Sequence, residues 1–226
     1  MEAWIVAGAI AAGAGYCWHR WRQLARAEFI RTCTFPHGLF DKVRAKRPQL
    51  DNKQLQLVAH ALRQFFLAYL RSGRRYVSMP SQVVDELWHE LILYTRHYDA
   101  FCRRAFGGFL HHTPAVALSR KRAEQQRNIG LRRVWWFACK EENINPRAPK
   151  RLPLLFALDA KLGIADGFFY KPDCSMHRKH DVQCGTDFSD SSVDGSTEGL
   201  GELAADGGSG CGGDSGCGGG CGGGGD

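Results

Sequence analysis

No stretch of this 226-residue chain alternates polar and apolar residues with period two, apart from a fragment at residues 76–79. Alternation marks a half-buried strand, so its absence excludes a sheet-built domain and leaves an all-α one. No basic residue precedes the uncharged stretch near the N-terminus, and the charge lies on its far side, which argues against a cleaved secretory leader. The bulky Tyr16 before Cys17 stands where a lipoprotein cleavage site needs a small residue. No Lys or Arg follows residue 180. Nine cysteines, an odd number, cannot all pair internally.

What is present is sharply partitioned. Residues 1–180 hold all 30 Lys and Arg against 14 Asp and Glu, a net of +16, whereas residues 181–226 hold nine acids and a net of −9. A basic body suits nucleic acid or an anionic lipid surface, although a solvated basic face beside a solubilising tail needs no partner at all. The basic, aromatic stretch around Trp135, Trp136 and Phe137 matches no nucleic-acid-binding module, and core tryptophans with solvated arginines account for it.

The stretch Ala3 to Trp18 carries no charge over sixteen residues. As a helix it reaches about 24 Å, short of the ~30 Å hydrocarbon core, so it is a marginal span. Trp4 and Trp18 stand where interfacial aromatics belong, and Arg20, Arg22 and Arg26 follow. The expectation is a transmembrane anchor over residues 1–22, with residues 3–18 in the membrane as a single pass. The positive-inside rule then puts the following domain on the cytoplasmic side, where its thiols stay reduced.

A small multi-helix domain is expected over residues 23–172. One amphipathic helix spans 51–72, with Asp51 as N-cap and Gln54 completing a capping box. A second starts near Ser81 and runs to Phe106, where Gly107 and Gly108 stop it. A third runs from Ala115 to Glu142, interrupted or merely weakened at Asn128-Ile129-Gly130, and a short fourth covers Leu154 to Leu162, closed by Gly163. Residues 173–188 read as a Cys/His connecting segment. Beyond Ser189 the chain is Asp, Ser and Gly around Cys211, Cys217 and Cys221, an acidic Gly/Cys-rich tail expected to be disordered over 189–226.

Three groups carry chemistry. Asp85 and His89 are four apart and share a helix face, with Trp88 beside them and Arg96 close to the same line, a face suited to a general base or to the support of a metal. The plainer alternative has Asp85 capping and His89 packed beside Trp88. On an unbroken helix His89 lies about 25 Å along the axis from Phe106, too far for His111 or His112 to reach back. His97 can reach them, so His97, His111 and His112, with Cys102 less well placed, form an alternative metal set. Lastly, Cys174, His177, His180 and Cys184 are four zinc-type ligands inside eleven residues, at a spacing tighter than common fingers, with a Cys174–Cys184 disulfide as the competing use.

Asp85, Trp88, His89, Tyr98, Cys102, Gly107 and one of His111 or His112 together resemble the shared pattern of bacterial members of the glycine-rich domain-containing protein family. The resemblance continues through Pro146, the 152–156 segment, Asp159 and Gly163 to Gly167, covering roughly residues 35–170. It implies a fold and no particular reaction. The expected function is therefore a membrane-tethered cytoplasmic helical module that binds or assembles with an unknown protein partner. The alternative is a metal-dependent or acid/base enzyme centred on Asp85 and His89, with zinc as the cofactor to test. The two differ in one respect: an enzyme needs a concave pocket where these residues meet other polar groups.

Overall fold

The computed structural model describes residues 2–112, 120–172 and 183–188. The first helix, α1 (Glu2–Thr32), begins in the uncharged stretch and continues unbroken into the domain. Its two halves have different surroundings. Residues 4–22 are all exposed, while Ala27 and Ile30 are buried where α1 packs on α3 (Asn52–Arg71) and α5 (Thr95–Phe106). No helix among the described residues is long and apolar enough to cross a membrane, which corrects the single-pass expectation. The physical reason lies in composition: Ala and Gly recur through residues 7–15 and dilute the apolarity, and His19 and Arg20 follow Trp18 directly.

A short helix that the sequence pattern does not signal, α2 (Leu39–Lys46), buries only Leu39 and Val43. Two apolar contacts over eight residues leave no periodicity to read. Helix α3 is the central element, packed by α1, α4 (Gln82–Leu93), α6 (Arg120–Glu141) and α7 (Leu154–Leu162). Its capping box is present as expected: the Asp51 carboxylate accepts from the Gln54 amide and the Gln54 side chain accepts from the Asp51 amide. Leu55, Val58, Leu62, Phe65 and Phe66 on its buried face anchor the core.

The expected second helix is two helices. The chain breaks at Tyr94, whose ψ of 60 takes it off the helical path, and α5 starts at Thr95. The Tyr94 hydroxyl donates to the His37 carbonyl, so the breaking residue is tied to the α1–α2 link rather than to its own helix. Of the two alternatives for the third helix, the structure shows the uninterrupted one, described over Arg120–Glu141. It runs through Asn128-Ile129-Gly130 without interruption, and Gly130 serves packing: a Cβ there would overlap the Ser78 side chain and lie 2.6 Å from the Ser78 amide nitrogen. The 76–79 segment is no strand but an irregular stretch that needs that close approach.

Past α7, Tyr170–Lys171 pairs in parallel with Gln183–Cys184, two residues each, and a 3-10 turn over Gly185–Phe188 follows. Phe188 is buried against Trp135 and Phe156 at 5.6 and 5.9 Å between centroids, so residues 183–188 belong to the packed body. Cys174, His177 and His180 lie outside the described residues, as does the expected tail over 189–226 with Cys211, Cys217 and Cys221.

Candidate metal centre

The site begins at the N-terminus of α4. Ser81 caps the helix, its hydroxyl accepting from the Val84 amide. Behind it lies the Asp159 carboxylate of α7, which is buried and accepts from the Ser81 hydroxyl and the Gln82 amide at 2.7 Å each, from the Phe168 amide at 2.9 Å and from the Val83 amide at 3.3 Å. Four donors on one buried carboxylate, at the positive end of a helix, fix the position of the first turn. Asp85 stands in that turn, and His89 follows one turn later on the same face, with its Nδ1 3.4 Å from Asp85 Oδ2.

The third member comes from the loop after α5. Because the chain turns at Tyr94, α5 runs back beside α4 and Tyr98 faces Trp88: the indole Nε1 donates to the Tyr98 hydroxyl across 3.0 Å. That hydroxyl in turn donates to the Leu110 carbonyl at 2.7 Å, pinning the loop. The loop leaves α5 through Gly107, which holds φ +77 as C-cap and whose missing Cβ would stand 2.5 Å from the Arg26 guanidinium. His112 is thereby delivered to α4, with Nε2 3.1 Å from Asp85 Oδ1 and its ring 4.2 Å from that of His89. The edge of its ring packs on Trp88 at 4.7 Å.

Asp85, His89 and His112 thus offer one carboxylate oxygen and two ring nitrogens, all within 4.8 Å of one another. His112 Nε2 faces Oδ1 of Asp85 at 3.1 Å and His89 Nδ1 faces Oδ2 at 3.4 Å, so each imidazole meets its own carboxylate oxygen, and nitrogen and oxygen donors of this kind are the ligand types that zinc takes. The three are half-buried or partly exposed, which leaves one side open to a further ligand. Asp85 and His112 also line a cavity of about 440 Å³ with Arg74, Ser78, Gln82 and His111. The Ser78 hydroxyl is buried there without a hydrogen-bond partner, and Arg74, held at φ +63, forms no ion pair among the described residues.

The expectation that His112 is out of reach of His89 is corrected. His89 and His112 are far apart only on an unbroken helix, and the chain breaks at Tyr94. The same break separates the other expectations. Arg96 is exposed on α5, with no hydrogen bond or ion pair to Asp85 or His89 among the described residues. His97 is exposed on the outer face of α5, whereas Cys102 is fully buried beside Tyr98, where burial raises its thiol pKa. His111 faces Phe109, so the alternative set of His97, Cys102, His111 and His112 is not assembled. Cys184 is disulfide-bonded, in place of the free thiolate that a zinc role demands. Asp159, which the sequence offered only as part of the resemblance, is a lone acid on a short apolar helix, and nothing in its spacing pointed to its role under α4.

Fold and site define a small all-helical domain in which one carboxylate is flanked by two imidazoles at the mouth of a cavity. The chain belongs to the UCP032817-like family, an uncharacterised family whose model matches residues 25–188, from the inner half of α1 to the 3-10 turn. Comparison with curated proteins and with solved structures finds no match.

Proposed function

We propose that this domain is a metal-dependent enzyme of hydrolytic type, with a zinc-class ion held by Asp85, His89 and His112. The observation that carries the reading is the return of His112 to Asp85 across 27 residues of chain, at the lip of a cavity with other polar groups in its wall. Three protein ligands with a fourth position open is the ligand count of catalytic rather than structural zinc. Such an ion supplies water acidified to a pKa of about 7, hence a nucleophile at neutral pH. Arg74 would neutralise an anionic substrate in the cavity, and the unpartnered Ser78 hydroxyl would accept or donate a hydrogen bond to it.

Zinc titration of the full chain with a thermal-shift readout tests this. Wild type should gain stability with rising zinc, as ligand binding to the folded state requires, and His112→Ala should gain much less. A gain as large as that of wild type in Asp85→Asn, His89→Ala and His112→Ala would overturn the reading. The kinship with the glycine-rich domain-containing family is also a proposal, and it gains support from the convergence of its motif at one place: Trp88 on Tyr98, Gly107 as the exit cap, and His112 on Asp85.

A second reading concerns location. The outer half of α1 exposes Trp4 at 84 % and Ile5, Ile10 and Trp18 at 60 % or more. We propose that this half lies in a membrane interface as a peripheral attachment, the arginines that follow facing anionic headgroups. A disulfide at Cys184 is more at home in an oxidising compartment than in the cytoplasm, which weighs against the cytoplasmic placement. Vesicle flotation of the full chain checks the attachment, and failure to float with any lipid would refute it.

A further inference from the structure

At the root of the exposed half of α1, between that helix and the end of α5, runs a groove of about 300 Å³. Its polar lining is Arg22 and Arg26 from α1 with Arg103 and Arg104 from α5, and its apolar lining includes Trp21 and Phe29. No carboxylate lines it. Arg103 is satisfied by Asp99 at 2.8 Å on the outside of α5. Arg22, Arg26 and Arg104 have no ion pair among the described residues. Arg104 lies over the Phe29 ring at 4.2 Å, which holds its guanidinium toward α1.

A solvated basic face would spread such charges apart, because like charges on flexible stems separate in water. Here they are held together. Arg26 is half-buried, and its guanidinium packs against the glycine cap of α5, so it cannot swing away. Burial first, then the charges of Arg22 and Arg74, lower its pKa. Guanidinium forks match phosphate oxygens in geometry as well as charge.

The helix itself says where that phosphate comes from. Trp18, Trp21, Arg22 and Ala25 fall on one face of α1, at helical spacings of three, four and seven. The two indoles are each 60 % exposed and stack at 5.3 Å, just outward of the arginines and just inward of the uncharged stretch. Apolar residues, then an aromatic pair, then guanidiniums is the order met on passing from acyl chains through the interface to the phosphate layer.

We infer that the groove formed by Arg22, Arg26 and Arg104 is a binding site for the phosphate of an anionic phospholipid headgroup, fixing how the domain sits on the bilayer. This rests on the interfacial reading of α1 and adds to it a selective site on the folded body. It is independent of the metal centre.

The test is cosedimentation of the full-length chain with phosphatidylcholine vesicles, with and without phosphatidylglycerol, for wild type and for the double variant Arg22→Gln with Arg104→Gln. Both side chains are exposed enough to be replaced without unfolding the domain, which a thermal melt verifies. Wild type should prefer the anionic vesicles by about tenfold or more, and the double variant should fall to the level seen on phosphatidylcholine alone. Arg26→Lys, which keeps the charge and loses the fork, should fall part of the way. Equal binding of wild type to both vesicles, or an undiminished preference in the double variant, overturns the groove as a headgroup site while leaving α1 attachment standing. Absence of binding to either vesicle overturns the interfacial reading as well. A thermal shift with inorganic phosphate in wild type but not in the double variant, without any vesicle preference, would assign the groove to free phosphate and refute the lipid. Tighter binding to duplex DNA than to anionic vesicles, lost in the same variant, would refute it in favour of nucleic acid.

Discussion

The Trp88 indole donates to the Tyr98 hydroxyl at 3.0 Å although ten residues separate them. On a straight helix those residues would be about 15 Å apart along the axis, so this bond exists only because the chain turns at Tyr94. Both side chains are buried, Trp88 among Phe65 and Phe66 and Tyr98 under the 107–112 loop. The hydroxyl passes the connection on to Leu110, and two residues later His112 meets Asp85. Removal of the helix break would dismantle the three-residue cluster.

Tyr98→Phe should therefore act at two levels. It leaves the Trp88 N–H and the Leu110 carbonyl buried without a partner, for a loss of about 1 to 3 kcal/mol in urea unfolding. It also loosens the loop that carries His112, so zinc affinity should fall about 10–100-fold, as for other residues that orient ligands. Unchanged zinc affinity in a destabilised variant would mean that His112 is not a ligand.

Replacement of His89 or His112 by Ala should cost little fold stability, since the first is half-exposed and the second partly so. Zinc-dependent stabilisation should nonetheless disappear in each. A double variant should lose no more than either single one, because two ligands of one ion act as a unit. Additive losses would point to separate sites.

Asp159→Ala should be among the most damaging polar changes in the domain. It deprives Ser81 and the amides of Gln82, Val83 and Phe168 of their shared acceptor, and it removes the anion from the start of α4. A loss of about 2 to 4 kcal/mol is expected, since hydrogen bonds to a charged group are the stronger kind. Ser81→Ala, which removes one of these contacts and a cap, should cost about 1 kcal/mol. A smaller effect for Asp159 than for Ser81 would contradict the assignment.

Gly130→Ala separates helix propensity from packing by sign. On a free helix the change stabilises by about 1 kcal/mol. Here the new methyl meets the Ser78 amide and side chain, so destabilisation by about 1 to 3 kcal/mol is expected from thermal melts.

Alkaline pH should unfold the domain through its buried thiols. Burial, reinforced by the Glu142 charge, pushes the Cys139 pKa up to about 12, from an ordinary thiol value near 9. Between those limits the unfolded chain has lost a proton that the folded one keeps, so stability is fully present below pH ~9 and is lost as pH rises toward ~12, at up to about 1.4 kcal/mol per unit for one proton. Cys33 and Cys102 are shifted upward by burial too and add in the same direction. Cys139→Ala should flatten this slope, measured as Tm against pH. At pH 8 a thiol reagent should label the exposed Cys17 in the folded protein and leave Cys33, Cys102 and Cys139 unmodified.

The sequence by itself determined the helical class, the capping box at Asp51 and Gln54, and the Gly107 and Gly163 stops. These follow from contacts a few residues apart, which composition and spacing encode directly. It also paired Asp85 with His89, because one helical turn is a local distance. The tertiary structure alone decided that α4 and α5 are separate, since the tie that holds Tyr94 off the helical path is to His37, 57 residues away. From that break follows the meeting of His112 with Asp85, and tertiary packing likewise places the buried carboxylate of Asp159 under a helix 77 residues from it in sequence and gathers arginines from α1 and α5 into one groove. Such relations join residues whose separation carries no periodic signal, so only the packed chain reveals them.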